Sequence, residues 1–158
     1  MLDQTPVQIA WVTDDLTATE AAVTALLGAK TWVRMPGVHF GPQTCTYRGR
    51  PADHVADISL SYAGDTQLEL IAPVRGTSIY TEFLDRCGPG LHHVCRALPS
   101  DAFDAAVRQA DIVMAGTMPG GMRFAYASAA DAGVPFIEFA DIPTEIQAFF
   151  DHIKQEQK

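Results

Sequence analysis

The sequence predicts an α+β fold made of two halves with the same element order, strand–helix–strand–strand–strand, which close around a shared pocket. Three observations predict it. Short β-branched and aromatic runs alternate with helix-period stretches along the chain. A Gly88-Pro89-Gly90 break falls near the middle of the 158 residues. The order of elements before that break then returns after it. At 17.1 kDa the chain suits one domain over residues 1–158 and is long enough to bury a core.

The first half covers about 7–72. Val7 to Thr13 (VQIAWVT) reads as a strand and Leu16 to Leu27 as a helix, with Thr17 and Glu20 placed for a capping box and Gly28 at its stop. Lys30 to Arg34 reads as a second strand, followed by a loop marked by Pro36, Gly37, Gly41 and Pro42. Thr44 to Arg48 is a short strand. Asp57 to Ala63 and Thr66 to Ala72 form a hairpin across Gly64-Asp65, ended by Pro73. A connecting helix spans about 77–87, with Ile79, Tyr80, Phe83 and Leu84 at helical spacing.

The second half covers about 91–140. Leu91 to Ala97 is its first strand, and Ser100 or Asp101 caps a helix bearing Phe103, Ala106, Val107 and Ala110. Ile112 to Gly116, Met122 to Ala127 and Pro135 to Ala140 are strands. A C-terminal helix over about 143–156 opens at Pro143 and carries one apolar stripe, Ile146, Phe149, Phe150 and Ile153, that docks on the domain. The last residues are polar and expected to fray.

Composition narrows the function. A net charge of −8 without any run among the eleven Lys and Arg argues against nucleic acid. No apolar run approaches the roughly 20 residues of a membrane helix, and Met1 to Pro6 lacks a signal-peptide pattern, so a cytoplasmic protein is expected. Cys45, Cys87 and Cys95 are odd in number and never spaced CxxC; they read as reduced, buried, apolar residues. Arg48 and Arg50 are the nearest thing to a basic pair, on a solvated loop.

Aligning the halves sets QIAWV beside HVCRA and QLELI beside FIEFA. Gln8 then corresponds to His93, and Glu69 to Glu138. Each lies on a predicted strand with few polar neighbours. If Leu68, Leu70, Ile137 and Phe139 pack under helices, both carboxylates face the cleft, where burial demands a cation or hydrogen bonds. Taken singly, each residue is more often a polar group on a solvent face, and His93 a satisfied histidine. Taken jointly, two carboxylates, an imidazole and an amide oxygen can meet on one divalent ion. Gln67 and Phe136 share that face, Tyr47, Tyr62, Phe124 and Tyr126 are candidate lining, and His92 is assigned a structural role on the opposite one.

VQIAWVTDDL, TQLELIAP, GPGLHHVCR and GVPFIEFAD, in this order, resemble the vicinal oxygen chelate superfamily, in particular its glyoxalase-like and methylmalonyl-CoA epimerase-like members. The resemblance implies paired βαβββ modules forming an open, incomplete barrel around a central pocket. It also implies a homodimer and one divalent metal on Gln8, Glu69, His93 and Glu138. Epimerase-like members usually have His where this chain has Gln8; a Gln/Glu/His/Glu set is similar to that of some glyoxalases. The epimerases' acid–base glutamate before the central hairpin has no counterpart in TYRGRPADHVADIS, where only Asp53, His54 or Asp57 stand near. An oxygen-rich, single-histidine set suits zinc, cobalt, nickel or manganese. The implied chemistry is proton abstraction next to a carbonyl or thioester by Glu138 or Glu69, with the metal stabilising the enolate, in an epimerase, isomerase or lyase. The implied substrate is a small molecule such as an acyl-CoA thioester or hemithioacetal. The competing reading is a metal-free small-molecule or antibiotic-binding protein on the same fold.

Overall fold

The structure, a computed structural model, describes residues 5–158; residues 1–4, part of the stretch read for a leader, lie outside the described residues. The first half comprises β1 (Gln8–Val12), α1 (Leu16–Leu27), β2 (Val33–Phe40), the short β3 (Cys45–Tyr47) and β4 (Arg50–Pro51), then β5 (His54–Ala63) and β6 (Thr66–Arg75). After α2 (Ile79–Cys87) come β7 (Gly90–Ala97), α3 (Ser100–Gln109), β8 (Ile112–Thr117), β9 (Arg123–Ser128), β10 (Phe136–Asp141) and α4 (Thr144–Gln155). The strands form one sheet in the order β2-β5-β6-β1-β7-β10-β9-β8-β3-β4. Within each half the first strand runs parallel to the last, β1 beside β6 and β7 beside β10. An antiparallel β1–β7 seam joins the two quartets. The sheet curls into the predicted α+β open barrel with its C-terminal helix.

Strand alternation sorts the two faces. Leu68 and Leu70 of β6 pack with Val23 of α1, and Ile137 and Phe139 of β10 pack with Phe103 of α3. Glu69 and Glu138, between those flanks, therefore turn to the concave side. That side holds a third cluster, which includes Leu60, Tyr80, Phe124 and Tyr126 and is covered by Phe150 and Ile153 of α4. The tail is anchored rather than frayed: Gln157 Oε1 accepts from the backbone N–H groups of Lys30 and Thr31, and its Nε2 donates to the Thr31 carbonyl.

Proline and glycine misdirect several strand limits. β2 continues through Pro36 and Gly37 because it is an edge strand, where a missing N–H costs no ladder bond. A bulge between Met35 and Val38 absorbs the pair, and the Gly37 N–H donates to Asp57 Oδ1 at 2.7 Å. β6 likewise passes Pro73, beside a bulge at Val55/Ala56. The hairpin of β3 and β4 turns on Arg48 and Gly49, at φ 50° and 77°, and pairs with β8 on the edge of the second quartet.

Caps also differ. Asp15 caps α1 by accepting from the Ala18 N–H, while Thr17 and Glu20 are taken by Arg34. Pro99 and Pro143 occupy the N-cap positions of α3 and α4 without side-chain capping bonds; Ser100 donates instead to Asp141. All three cysteines are free, but Cys87 is exposed rather than buried.

His54 is 1% exposed, stacks on Phe40 with ring centroids 4.5 Å apart, and leaves both ring nitrogens without hydrogen bonds. Burial, with the nearby charge of His39, pushes its pKa from 6.5 down to about 4. The unfolded chain therefore takes up this proton more readily than the folded one. The stabilisation is complete above pH 6.5 and is lost as the pH falls through about 4. Urea midpoints should drop between pH 7 and 4.5 by the equivalent of roughly 2–3 kcal/mol more in wild type than in His54→Phe, which keeps the stack. Equal acid losses in the two chains would show that His54 is not the group responsible.

Candidate metal centre and its pocket

The repeat places the four candidate residues on four consecutive strands of the sheet: Glu69 on β6, Gln8 on β1, His93 on β7 and Glu138 on β10. Gln8 and His93, which the alignment pairs, sit on the two strands of the central seam, and Glu69 and Glu138 flank that seam on β6 and β10. His93 Nε2 lies 2.9 Å from Glu138 Oε2 and 3.5 Å from Glu69 Oε1. One ligand atom from each of Glu69, His93 and Glu138 lies within 4.8 Å of the others. Gln8, Glu69 and Glu138 line the same cavity.

Gln8 Oε1 is buried without a hydrogen-bond partner, and so is His93 Nε2 except when a proton on it bridges to Glu138 Oε2. The Gln8 amide is oriented from behind. Its Nε2 donates to Gln67 Oε1 at 2.6 Å, and Gln67 Nε2 donates to the Tyr62 hydroxyl at 3.2 Å. His93 is set in the same manner, since its Nδ1 lies 2.9 Å from His92 Nδ1. Burial and the charge of His93 push His92 down to about 3, so His92 is neutral and its Nδ1 can accept from His93. In that arrangement the free lone pair of a neutral His93 is on Nε2, facing the carboxylates.

Two carboxylates in an apolar cleft need a cation. Burial, joined by the charge of Glu138, raises the pKa of Glu69. Burial opposes protonation of His93, but Glu138 and Glu69 outweigh it and hold its pKa up to about 9. A proton on His93 thus answers part of the negative charge. A divalent ion fits better, since it balances both carboxylates and satisfies the two orphaned atoms together.

His92 does not point to the opposite face. A bulge at Ala10/Trp11 sets Ala10 opposite His93 and Trp11 opposite Leu91, leaving His92 as the extra residue. Both rings consequently pack against Tyr126, at 6.3 and 4.9 Å between centroids. Asp53 and Asp57 do not reach the group. Asp53 is exposed and bound by His39 and Arg75, and Asp57 holds the β2 bulge. His54 lies behind Phe40 and Tyr80 rather than on the cavity wall. Arg48 is held by Glu82 at 2.7 Å.

Tyr80 is a site residue that periodicity disguises as plain helix core. It lines the cavity, and its hydroxyl lies 2.8 Å from that of Tyr126. Burial and the charge of Glu138 raise both phenols well above their ordinary range, so both stay protonated.

The fold is similar to that of methylmalonyl-CoA epimerase from Mycobacterium tuberculosis, with TM-score 0.61 and 19% identity over 94% of this chain and 97% of that one. It is also similar to hypothetical protein BH1468 from Bacillus halodurans C-125, with TM-score 0.61 and 16% identity over 88% and 94% of the two chains. A Streptomyces coelicolor methylmalonyl-CoA epimerase in complex with 2-nitronate-propionyl-CoA aligns with TM-score 0.55 and 18% identity over 88% and 98%. At such identities the likeness is one of fold. The sequence matches no curated protein. A family model matches residues 7–126, from β1 through most of β9, and by that match the chain belongs to the Glyoxalase/Bleomycin resistance protein/Dioxygenase superfamily.

Proposed function

We propose that the chain is a divalent-metal-dependent enzyme that removes a proton from carbon next to a carbonyl or thioester, in an epimerisation, isomerisation or glyoxalase-type lyase reaction. The observation that carries this reading is the pair of orphaned buried atoms, Gln8 Oε1 and His93 Nε2, beside two carboxylates. Gln8, Glu69, His93 and Glu138 would hold the ion, and zinc, cobalt, nickel and manganese suit their donor set. Bound there, the cation supplies Lewis-acid polarisation of the substrate oxygen.

The chain's own groups supply the rest. Glu138 or Glu69 takes the proton from carbon and returns it. Tyr80 and Tyr126, kept protonated, offer hydroxyl donors from the cavity wall. Apolar walls around the carboxylates exclude water and strengthen each of these interactions. The acyl-CoA in complex with the Streptomyces coelicolor epimerase supports a thioester as one substrate type. A metal-free binder of small molecules is the second reading, favoured by the apolarity of the cavity walls.

Plasma mass spectrometry on tag-free protein should find one divalent ion per chain in wild type and less than about a tenth of that in His93→Ala. A wild type that also refuses added zinc, cobalt, nickel and manganese leaves the metal-free binder standing. Substrate deuterium exchange, run over a panel of thioesters and 2-oxo compounds, should fall by roughly 10²–10⁴ in Glu138→Gln, which keeps an oxygen donor but cannot take a proton. Undiminished exchange in that variant, with Glu69→Gln inactive and still metal-loaded, assigns the base to Glu69.

A further inference from the structure

The cavity is polar at its floor and apolar along its walls. Its volume is about 260 Å³, at the small end of the roughly 300–1,000 Å³ usual for ligand sites. Gln8, Glu69 and Glu138 form the floor, and Phe40, Leu60 and Phe124 are buried wall residues. Half-buried Met35 of β2, Met118 and Met122 of the β8–β9 turn, and exposed Phe149 of α4 bring the lining to the surface. Three methionines at such a rim adapt their shape to an apolar guest.

None of the residues lining this cavity is a lysine, arginine or histidine. The guanidinium groups of Arg34, Arg48, Arg75 and Arg123 are all engaged elsewhere, by Glu20, Glu82, Asp53 and the pair Asp104 and Asp141. Among the described residues the only charged ones lining the cavity are the acids Glu69 and Glu138, and a divalent ion between them would bring the floor to neutrality rather than to excess positive charge. A carboxylate on the body of the entering molecule, set against Phe40, Leu60 and Phe124 and away from the floor, would lose its water without gaining a cationic partner.

We infer that the part of the substrate that enters this cavity is a compact, uncharged aryl or branched alkyl body carrying neighbouring oxygen atoms at one end, and that the body beyond those oxygens bears no carboxylate. This rests on the metal-centre reading for the oxygen end, while the choice of body rests on the walls alone.

Calorimetry on the metal-loaded wild type tests this with three hydroxamic acids that share one oxygen pair. Benzohydroxamic acid should bind at least about tenfold more tightly than acetohydroxamic acid, which lacks the body, and than the monohydroxamate of succinic acid, which carries a carboxylate. Met35→Lys, at the half-buried rim, should bring the succinic compound to within about threefold of the benzoic one. Equal or tighter binding of the succinic compound to wild type overturns the inference and leaves the metal centre intact. If no hydroxamate binds and no metal is held, the metal reading fails, and the body is tested without it on the metal-free chain. Preference there for 2-naphthol over 6-hydroxy-2-naphthoic acid supports the inference. Equal binding, or none, overturns it.

Discussion

Two carboxylates meet in a space with little water, and the rest of the molecule answers to that constraint. Glu69 and Glu138 are turned inward because their neighbours on each strand are claimed by helices on the outer face. Their meeting is costly unless positive charge lies between them, and His93 provides one such charge when protonated. Around this group stand supports that have no other evident task. The Gln67–Tyr62 chain holds an amide, a neighbouring imidazole sets a ring, and two hydroxyls face each other.

The seam between the halves makes this geometry. Each half supplies one carboxylate from its last strand and one amide or imidazole from its first, and the antiparallel β1–β7 pairing brings the two sets together. Neither quartet alone assembles the group. One departure from the repeat lies far from that seam: the β3–β4 hairpin crosses to the far edge of the second quartet.

Much of this was legible in the sequence because it follows from period and order. The strand–helix succession, the pairing of Gln8 with His93 and of Glu69 with Glu138, and the inward turn of both acids all follow from short-range patterns. What escaped depends on contacts between distant segments. Pro36-Gly37 and Pro73 read as stops, yet an edge position and two bulges let the strands continue. Alternation sent His92 outward, but a bulge opposite Trp11 overrides alternation at that residue. Glu20 fits a capping box locally, but Arg34 offers a charged, bidentate partner from another strand. Tyr80 looks like any apolar helix position until the sheet curls beneath it.

The hold of Gln157 on Thr31 gives the far end of the chain a share in the pocket. The last helix supplies Ile146, Phe149 and Phe150 to the cavity, and its trailing end is tied by one amide to the segment entering β2, which supplies Met35 and Val38. Two walls that are remote in sequence are thereby latched at a place well apart from Glu69, His93 and Glu138. The breadth of the cavity entrance is therefore coupled to Gln157, a residue that lines none of the cavity and stands apart from Glu69, His93 and Glu138.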